Sequence, residues 1–322
     1  MNPSNAESGA KSTPSVRAGT RGSPLALVQT RGFLRLLAAV PGAGDGQEVI
    51  IATTGDAVQD RPLADIGGKG LFAKEIHEAL LDRRIDCAVH SLKDLETELP
   101  PGIVLGCTLQ REDARDVLIL GDTCLTPDPA DPLSALPQGA LVGSSSVRRQ
   151  AQLRHARPDL RVASIRGNVQ TRLRKLRDGE CQASLLAMAG LRRLGIDVPN
   201  AVVLDPEVMI PAAAQGIVGI TVRSDDTELR DRLAQIEDAA ARSAATAERA
   251  MLATLDGSCR TPIGAHARLV PDGSLTLTGL VARSDGSFLL RRTLTGPAAD
   301  SHRIGTELGA ELRAAAPADL FG

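Results

Sequence analysis

Three sets of residues in this 322-residue chain have the types and spacing for chemistry. The first is a run of cations. Between Ser144 and Arg193 stand Arg148, Arg149, Arg154, Arg157, Arg161, Arg166, Arg172, Arg174, Lys175, Arg177, Arg192 and Arg193, against Asp159, Asp178 and Glu180. All but one of these cations are arginine, whose planar fork grips carboxylate or phosphate at two points. Arg148, Arg149, Arg166 and Arg172 flank capped, glycine-containing loops and are the candidate anion ligands, whereas Arg154, Arg157, Arg174 and Arg177 read as solvated helix faces. The second is Asp94, which follows Ser91-Leu92-Lys93 at the C-terminal end of an expected strand, where α/β sheets place their ligands. A carboxylate in a cationic pocket holds an N–H group or steadies a developing positive charge; an aspartate there also suits a plain turn or helix cap. The third is Cys259, within Asp256-Gly257-Ser258-Cys259-Arg260-Thr261-Pro262-Ile263-Gly264. A cysteine in a Gly/Pro-bounded loop beside an arginine is placed for exposure and thiolate character, as a covalent attachment point or nucleophile. Cys87, Cys107 and Cys181 lie in or beside apolar strands and read as packing, and Cys124 as incidental in a Pro/Asp loop.

Strand-loop-helix units must position these groups. A short strand over 16–20 leads through Arg21-Gly22-Ser23-Pro24 into a helix over 25–37, with Ser23 as N-cap and Pro24 at the first helical position. A strand over 48–53 follows. The turn Gly67-Gly68-Lys69-Gly70 opens a helix over 71–83 with Phe72, Ile76, Ala79 and Leu80 on one face. A strand over 85–90 runs into Asp94. The segment 122–137 holds Pro127, Pro129, Pro132 and Pro137 and reads as loop near a domain boundary. Beyond it the pattern resumes: strand 140–143, a helix over 147–156 capped by Ser144-Ser145-Ser146, strand 161–165, a helix ending at Gly179, and a buried strand over 183–189. This alternation predicts an α/β fold with largely parallel sheets. From 228 to 255 the chain reads as alanine-rich helix. Extended runs such as 275–283, turns at 271–274 and 284–287, and a closing helix over 301–315 then predict a small α+β domain with an antiparallel sheet.

Composition narrows the function classes. Hydrophobic residues make up 43% and charged ones 24%, ordinary for a soluble globular protein, and the longest apolar stretch, 183–191, falls far short of the about 20 residues that span a bilayer. Four Phe with no Trp or Tyr leave few stacking platforms for single-stranded nucleic acid, and a net charge of −2 does not suit a nucleic-acid module. A polyanionic small molecule is the better match to the arginine cluster. Five cysteines without a CxxC pair fit a reducing compartment. Five histidines without HExxH spacing give no expectation of a metal. The polar stretch 1–14 lacks an apolar signal core and reads as a disordered tail, which with the cysteine usage points to the cytoplasm.

Read together, these features resemble the porphobilinogen deaminase (hydroxymethylbilane synthase) family. The resemblance rests on Arg17 to Leu27 (RAGTRGSPLAL), Gly67 to Phe72 (GGKGLF), His90 to Leu95 (HSLKDL), Gly143 to Gln150 (GSSSVRRQ), Arg166 to Val169 (RGNV), Gln215-Gly216 and the Cys259 loop, in this order over about 250 residues. It implies an enzyme that joins four porphobilinogen units head to tail with loss of ammonia. It implies a dipyrromethane cofactor held by a thioether to Cys259, and Asp94 as the catalytic carboxylate that steadies an azafulvenium cation. Lys93, Ser145, Ser146, Arg148, Arg149 and Asp94 would bind the cofactor; Arg21, Ser23, Arg166, Gly167, Arg172, Phe72 and Gln215 would bind substrate. Phe72 is equally a core residue on its helix face. The implied architecture is three domains: 15–112 with 214–235 and 113–213, both periplasmic-binding-protein-like with mixed, mostly parallel sheets and helices on both faces, and 236–322 carrying the cysteine. A monomer is expected. Departures from the family's common pattern include Asp65 for Lys, Glu96 for Pro, which predicts a looser loop after Asp94, and Ala214 for Gly. The rival reading is a cytoplasmic anion-binding protein of the two-lobed solute-receptor fold without catalysis.

Overall fold

A computed structural model describes residues 15–42, 44–57, 73–128, 130–256 and 261–321. The expected 1–14 tail, the glycine-rich turn with Phe72, and Cys259 lie outside the described residues. Two five-stranded sheets share one plan. In the first, β1 (Val16–Thr20) runs parallel to β2 (Gly46–Ile50) and β3 (Cys87–Ser91), and the order is completed by β10 (Val218–Arg223) and β4 (Ile103–Thr108), with β10 antiparallel to both its neighbours. In the second, β6 (Leu141–Gly143) runs parallel to β7 (Arg161–Ala163) and β8 (Ala183–Ala187), while β5 (Asp116–Leu120) lies antiparallel to β8 and β9 (Ala201–Val203). The chain therefore crosses between the sheets after β4 and returns after β9. The two crossings touch: Glu112 N donates to Gly216 O at 3.0 Å and Leu109 N to Val218 O at 3.0 Å.

Local chemistry sets the helices that face the loops. Ser23 caps α1 (Pro24–Ala38) by accepting from Ala26 N at 3.3 Å, with Pro24 in the first turn, as the sequence predicts. Ser146 caps α4 (Val147–Ala156) and Asn168 caps α5 (Val169–Arg177). The expected strand 183–189 ends earlier, at Ala187, where a short α6 (Met188–Arg193) begins. The helix expected over 71–83 is described as α3 (Lys74–Leu81).

The third sheet is antiparallel, β11 (Ile263–Leu269), β12 (Ser274–Ala282) and β13 (Leu289–Pro297). It packs Leu275, Leu277 and Val281 against Met251 of α8 (Ala239–Thr254) and Ile304, Leu308 and Leu312 of α9 (Ser301–Ala315). The alanine-rich composition is used here. Gly305 lets α9 approach so closely that a Cβ would sit 2.2 Å from Ala247 O, and small residues let helix backbones meet without large side chains between them.

One buried acid fastens all three sheets. Glu248 on α8 is fully buried; its carboxylate accepts from Arg111 at 2.7 and 3.2 Å, from Ala214 N at 2.5 Å and from Ala267 N at 2.6 Å. Arg111 lies on the outgoing crossing, Ala214 on the returning one and Ala267 in β11. Glu248→Ala leaves an arginine and two amides without their acceptor, so a loss of about 3–5 kcal/mol is expected. Urea denaturation reads this as a lower midpoint, and an unchanged midpoint would mean that the fastening carries no weight.

Candidate active site

The loops that follow the parallel strands β1, β3, β6 and β7 bring most of the predicted residues to the C-terminal ends of the sheets. After β3 a single 3-10 turn, Leu92–Asp94, presents Lys93 and Asp94. Asp94 lines a cavity of about 70 Å3 with Arg21, Ser23, Gln29, His90 and Ser91. Behind it, His90 Nε2 lies 2.9 Å from Thr221 Oγ1. Burial, helped by His77, pushes the His90 imidazole down to about 3, so the wall next to Asp94 is a neutral ring. The loop after Asp94 is held by Arg249, which donates to the carbonyls of Leu95, Glu96 and Thr97 at 3.0, 2.6 and 3.2 Å. Glu96 also pairs with His77 at 3.2 Å. The looser loop predicted from Glu96 is thus replaced by one tied through its backbone.

Across from Asp94 stand the second sheet's loops. Ser145 Oγ donates to Ile165 O at 2.7 Å and lies 3.1 Å from Ser164 Oγ, joining the two loops that precede α4 and α5. Gly167 adopts φ +112, and a Cβ there would meet Thr171 Cγ2 at 2.6 Å. Its carbonyl accepts from Arg172 Nε at 2.9 Å. Burial, with Arg149 and Arg166 nearby as like charges, pushes Arg172 down to about 10 against the pull of Asp94. Asp94 and this loop therefore share one electrostatic field.

Between them lies a buried network that the sequence reading missed. Asp116, fully buried at the start of β5, accepts from Arg148 Nη1, Arg149 Nη2 and Gln215 Nε2, each at 2.7 Å. Burial raises the Asp116 carboxyl, but Arg148 and Arg149 outweigh it and hold it well below the ordinary range. Gln215 also donates to Ala114 O at 2.7 Å, and its Oε1 accepts from Lys93 Nζ at 3.2 Å. Lys93 is open to water yet walled by protein, as a side chain inside a cleft is. Desolvation, with Arg149 and Arg148 close by, pushes its ammonium down to about 8 although Asp94 and Asp116 oppose the shift. Three buried donors, Arg148 Nε, Arg149 Nε and Arg166 Nη1, have no partner. Each is a donor left without an acceptor among crowded cations, a group for which an anionic oxygen would be a partner.

Residues 16–231 match the family model described as porphobilinogen deaminase, dipyromethane cofactor binding domain, and residues 243–314 match porphobilinogen deaminase, C-terminal domain. A Paracoccus denitrificans protein named porphobilinogen deaminase is 51% identical over 308 residues, covering 95% of this chain and 96% of its own. A chloroplastic porphobilinogen deaminase of Oryza sativa subsp. japonica is 48% identical over 312 residues, covering 95% of this chain and 85% of its own. Among solved structures, a putative sulfonate-binding protein of Methylobacillus flagellatus aligns over 74% of this chain and 67% of its own, with 11% identity and a TM-score of 0.38; so slight a likeness carries no argument.

The crowding of Lys93 is directly measurable. The chain has five lysines, few enough for 13C-lysine NMR to follow each Cε signal with pH. The signal missing from Lys93→Arg is expected to titrate near pH 8, well below the ordinary lysine value of about 10.4. Titration together with the other four would show that the cleft does not crowd it.

Proposed function

The chain belongs to the porphobilinogen deaminase family, and from that premise we propose how its residues perform the reaction. The protein is a transferase of tetrapyrrole synthesis that condenses four porphobilinogen molecules head to tail, with release of ammonia, to give the linear tetrapyrrole hydroxymethylbilane. The rival reading, an anion receptor without catalysis, is not favoured by matches to both deaminase family models.

The observation that carries the assignment of residues is the set of buried, unpartnered arginine donors facing a loop with an exposed carboxylate. A dipyrromethane group fits this donor set, because each pyrrole ring bears carboxylate side chains and Arg148 Nε and Arg149 Nε are buried donors without acceptors. Cys259 would hold the group through a thioether, with Lys93, Ser145, Ser146, Arg148, Arg149 and Asp94 around it. When bound, it supplies the pyrrole end from which the chain is extended. Arg21, Ser23, Arg166, the Gly167 amide and Arg172 grip the acetate and propionate of incoming substrate. Gln215, its amide spent on Ala114, Asp116 and Lys93, acts by steadying Lys93. Phe72, outside the described residues, would be the ring-contacting residue that the family resemblance implies.

Asp94 does the chemistry. As ammonia leaves porphobilinogen, positive charge develops on the substrate, and the Asp94 carboxylate stands where it is stabilised; its oxygens also accept pyrrole N–H groups and hold the proton given up when the new bond forms. The neutral His90 beside it adds no competing cation. We further propose that the three domains divide at 15–112 with 214–235, 113–213 and 236–322, supported by a separate sheet in each. A reducing, cytoplasmic setting is supported by the free Cys87, Cys107, Cys124 and Cys181.

Two measurements test this reading. Intact mass under denaturing conditions is expected to exceed the chain mass by two linked pyrrole units, and the excess should vanish in Cys259→Ala. If the wild-type mass is bare even after incubation with porphobilinogen, the anchor assignment fails. Asp94→Ala should lower turnover by at least about 100-fold, the equivalent of roughly 3 kcal/mol of lost charge stabilisation, with an unchanged melting temperature. Asp94→Glu, which keeps the charge but moves it by one methylene, should keep partial activity.

A further inference from the structure

Asp116 belongs to none of the motifs that carry the family resemblance, yet it is the anion on which the cleft's cations converge. It opens β5 where the chain first crosses between the two sheets, and it is fully buried. Its carboxylate takes Arg148 and Arg149 by their Nη tips at 2.7 Å each and Gln215 at 2.7 Å from the returning crossing. Through Gln215 Oε1 the same network reaches Lys93 Nζ at 3.2 Å, next to Asp94 on the first sheet's loop. Two carboxylates, Asp116 and Asp94, stand against Arg148, Arg149, Arg172 and Lys93, so positive charge is left over. The Nε atoms of both arginines are buried without a partner. An acid whose purpose was only to neutralise the arginines would leave no such donors, since each unsatisfied buried group is destabilising, and apolar packing in place of a buried ion cluster is often the more stable arrangement.

We infer that Asp116 is the positioning residue of the carboxylate site: by fixing the guanidinium tips of Arg148 and Arg149 and, through Gln215, the ammonium of Lys93, it holds their open donors in register toward bound carboxylates. The inference rests on the reading of this cleft as the deaminase site. Because its partners come from α4 beside the second sheet, from the returning crossing and, through Gln215, from the turn after β3, Asp116 also makes the relative setting of the two sheets a condition for anion capture. It touches no substrate itself and acts through the three cations.

The test uses full-length Asp116→Glu, Asp116→Asn and Gln215→Met with porphobilinogen. One readout is KM against kcat. The other is the rate at which protein produced without porphobilinogen gains the mass of two pyrrole units. Asp116→Glu keeps the charge but displaces it, and Gln215→Met removes the link to Lys93 together with the amide's bonds to Asp116 and Ala114 O, leaving both arginines on Asp116. Both are expected to raise KM at least tenfold with kcat changed less than threefold, and to slow the mass gain at least tenfold. Asp116→Asn should show the same at greater size; if it does not fold, the other two variants decide. A purely structural role lowers the amount of folded protein and leaves the KM of the folded part alone. Folded Asp116→Glu and Gln215→Met with wild-type KM and wild-type loading overturn the inference while the deaminase reading stands. A wild-type protein that neither consumes porphobilinogen nor gains mass overturns that reading and this inference with it.

Discussion

A carboxylate removed from water must find partners nearby, and Glu248 finds them on three separate stretches of chain. Arg111, Ala214 and Ala267, which belong to the two crossings and to the third sheet, all donate to this one carboxylate, and Arg111 adds a longer bond to Ala267 O at 3.4 Å. The fork of Arg111 also donates to Gln215 O at 2.9 Å, so the same residue that meets Glu248 fixes the backbone that carries Gln215. From there the side chain of Gln215 reaches Asp116 and Lys93. The anchorage of the third sheet and the orientation of the cleft's cations are therefore links of one chain of contacts, running from α8 through the crossings to the loop of Asp94. Arg249, one residue after Glu248, supplies a second link by holding the carbonyls after Asp94. The helix that precedes Cys259 thus grips both the crossings and the turn that carries Asp94.

The cleft is held together against its own charge. Desolvation pushes Lys93, Arg148 and Arg172 down together and neighbouring cations add to it, so each charge would be favoured by a further anion. Asp116 answers part of that repulsion from inside and Asp94 part of it from the loop. The remainder is stability given up in the free protein and regained when carboxylates arrive, the usual relation between an active site and the fold that carries it. A growing chain of pyrroles brings more carboxylates at each step, so a surplus of arginine rather than a matched set is the arrangement such a product requires.

Much of this was legible in the sequence wherever a single residue had a single local job. Ser23 and Pro24 announced α1, Ser146 announced α4, and the apolar spacing after Ser301 announced α9, all with bounds close to those observed. The strands β5 and β10 were not legible. Every residue of both is buried, so neither has the polar-apolar alternation by which a half-exposed strand is recognised, and the exchange of the chain between sheets that they create was hidden with them. Asp116 and Glu248 escaped notice for a related reason. In Arg111-Glu112-Asp113-Ala114-Arg115-Asp116 nothing local tells which acid turns inward. Arg148 and Arg149 were singled out by the capped loop beside them, but their hold on Asp116, 32 and 33 residues away, is a property of the tertiary fold alone.

Asp65 lies outside the described residues, and the other two departures from the family's common pattern, Glu96 and Ala214, show how such contacts absorb an unfavourable residue. Ala214 has φ +59, a left-handed conformation that costs a residue with a Cβ roughly 1–2 kcal/mol and a glycine almost nothing. It is kept there because its amide donates to Glu248 at 2.5 Å and its side chain is buried against the core with Leu92 and Ile217. Proline in place of Glu96 would stiffen the loop after Asp94 by fixing its own φ. Glu96 leaves φ free; its carbonyl accepts from Arg249, as a proline's would, and its carboxylate adds a pair with His77. At Glu96 the stiffness that proline supplies covalently is replaced by contacts to α8 and α3, and at Ala214 the strain that glycine would avoid is offset by the bond to Glu248. The loop after Asp94 in this chain therefore depends more heavily on the helix that precedes Cys259 than a loop stiffened by proline would.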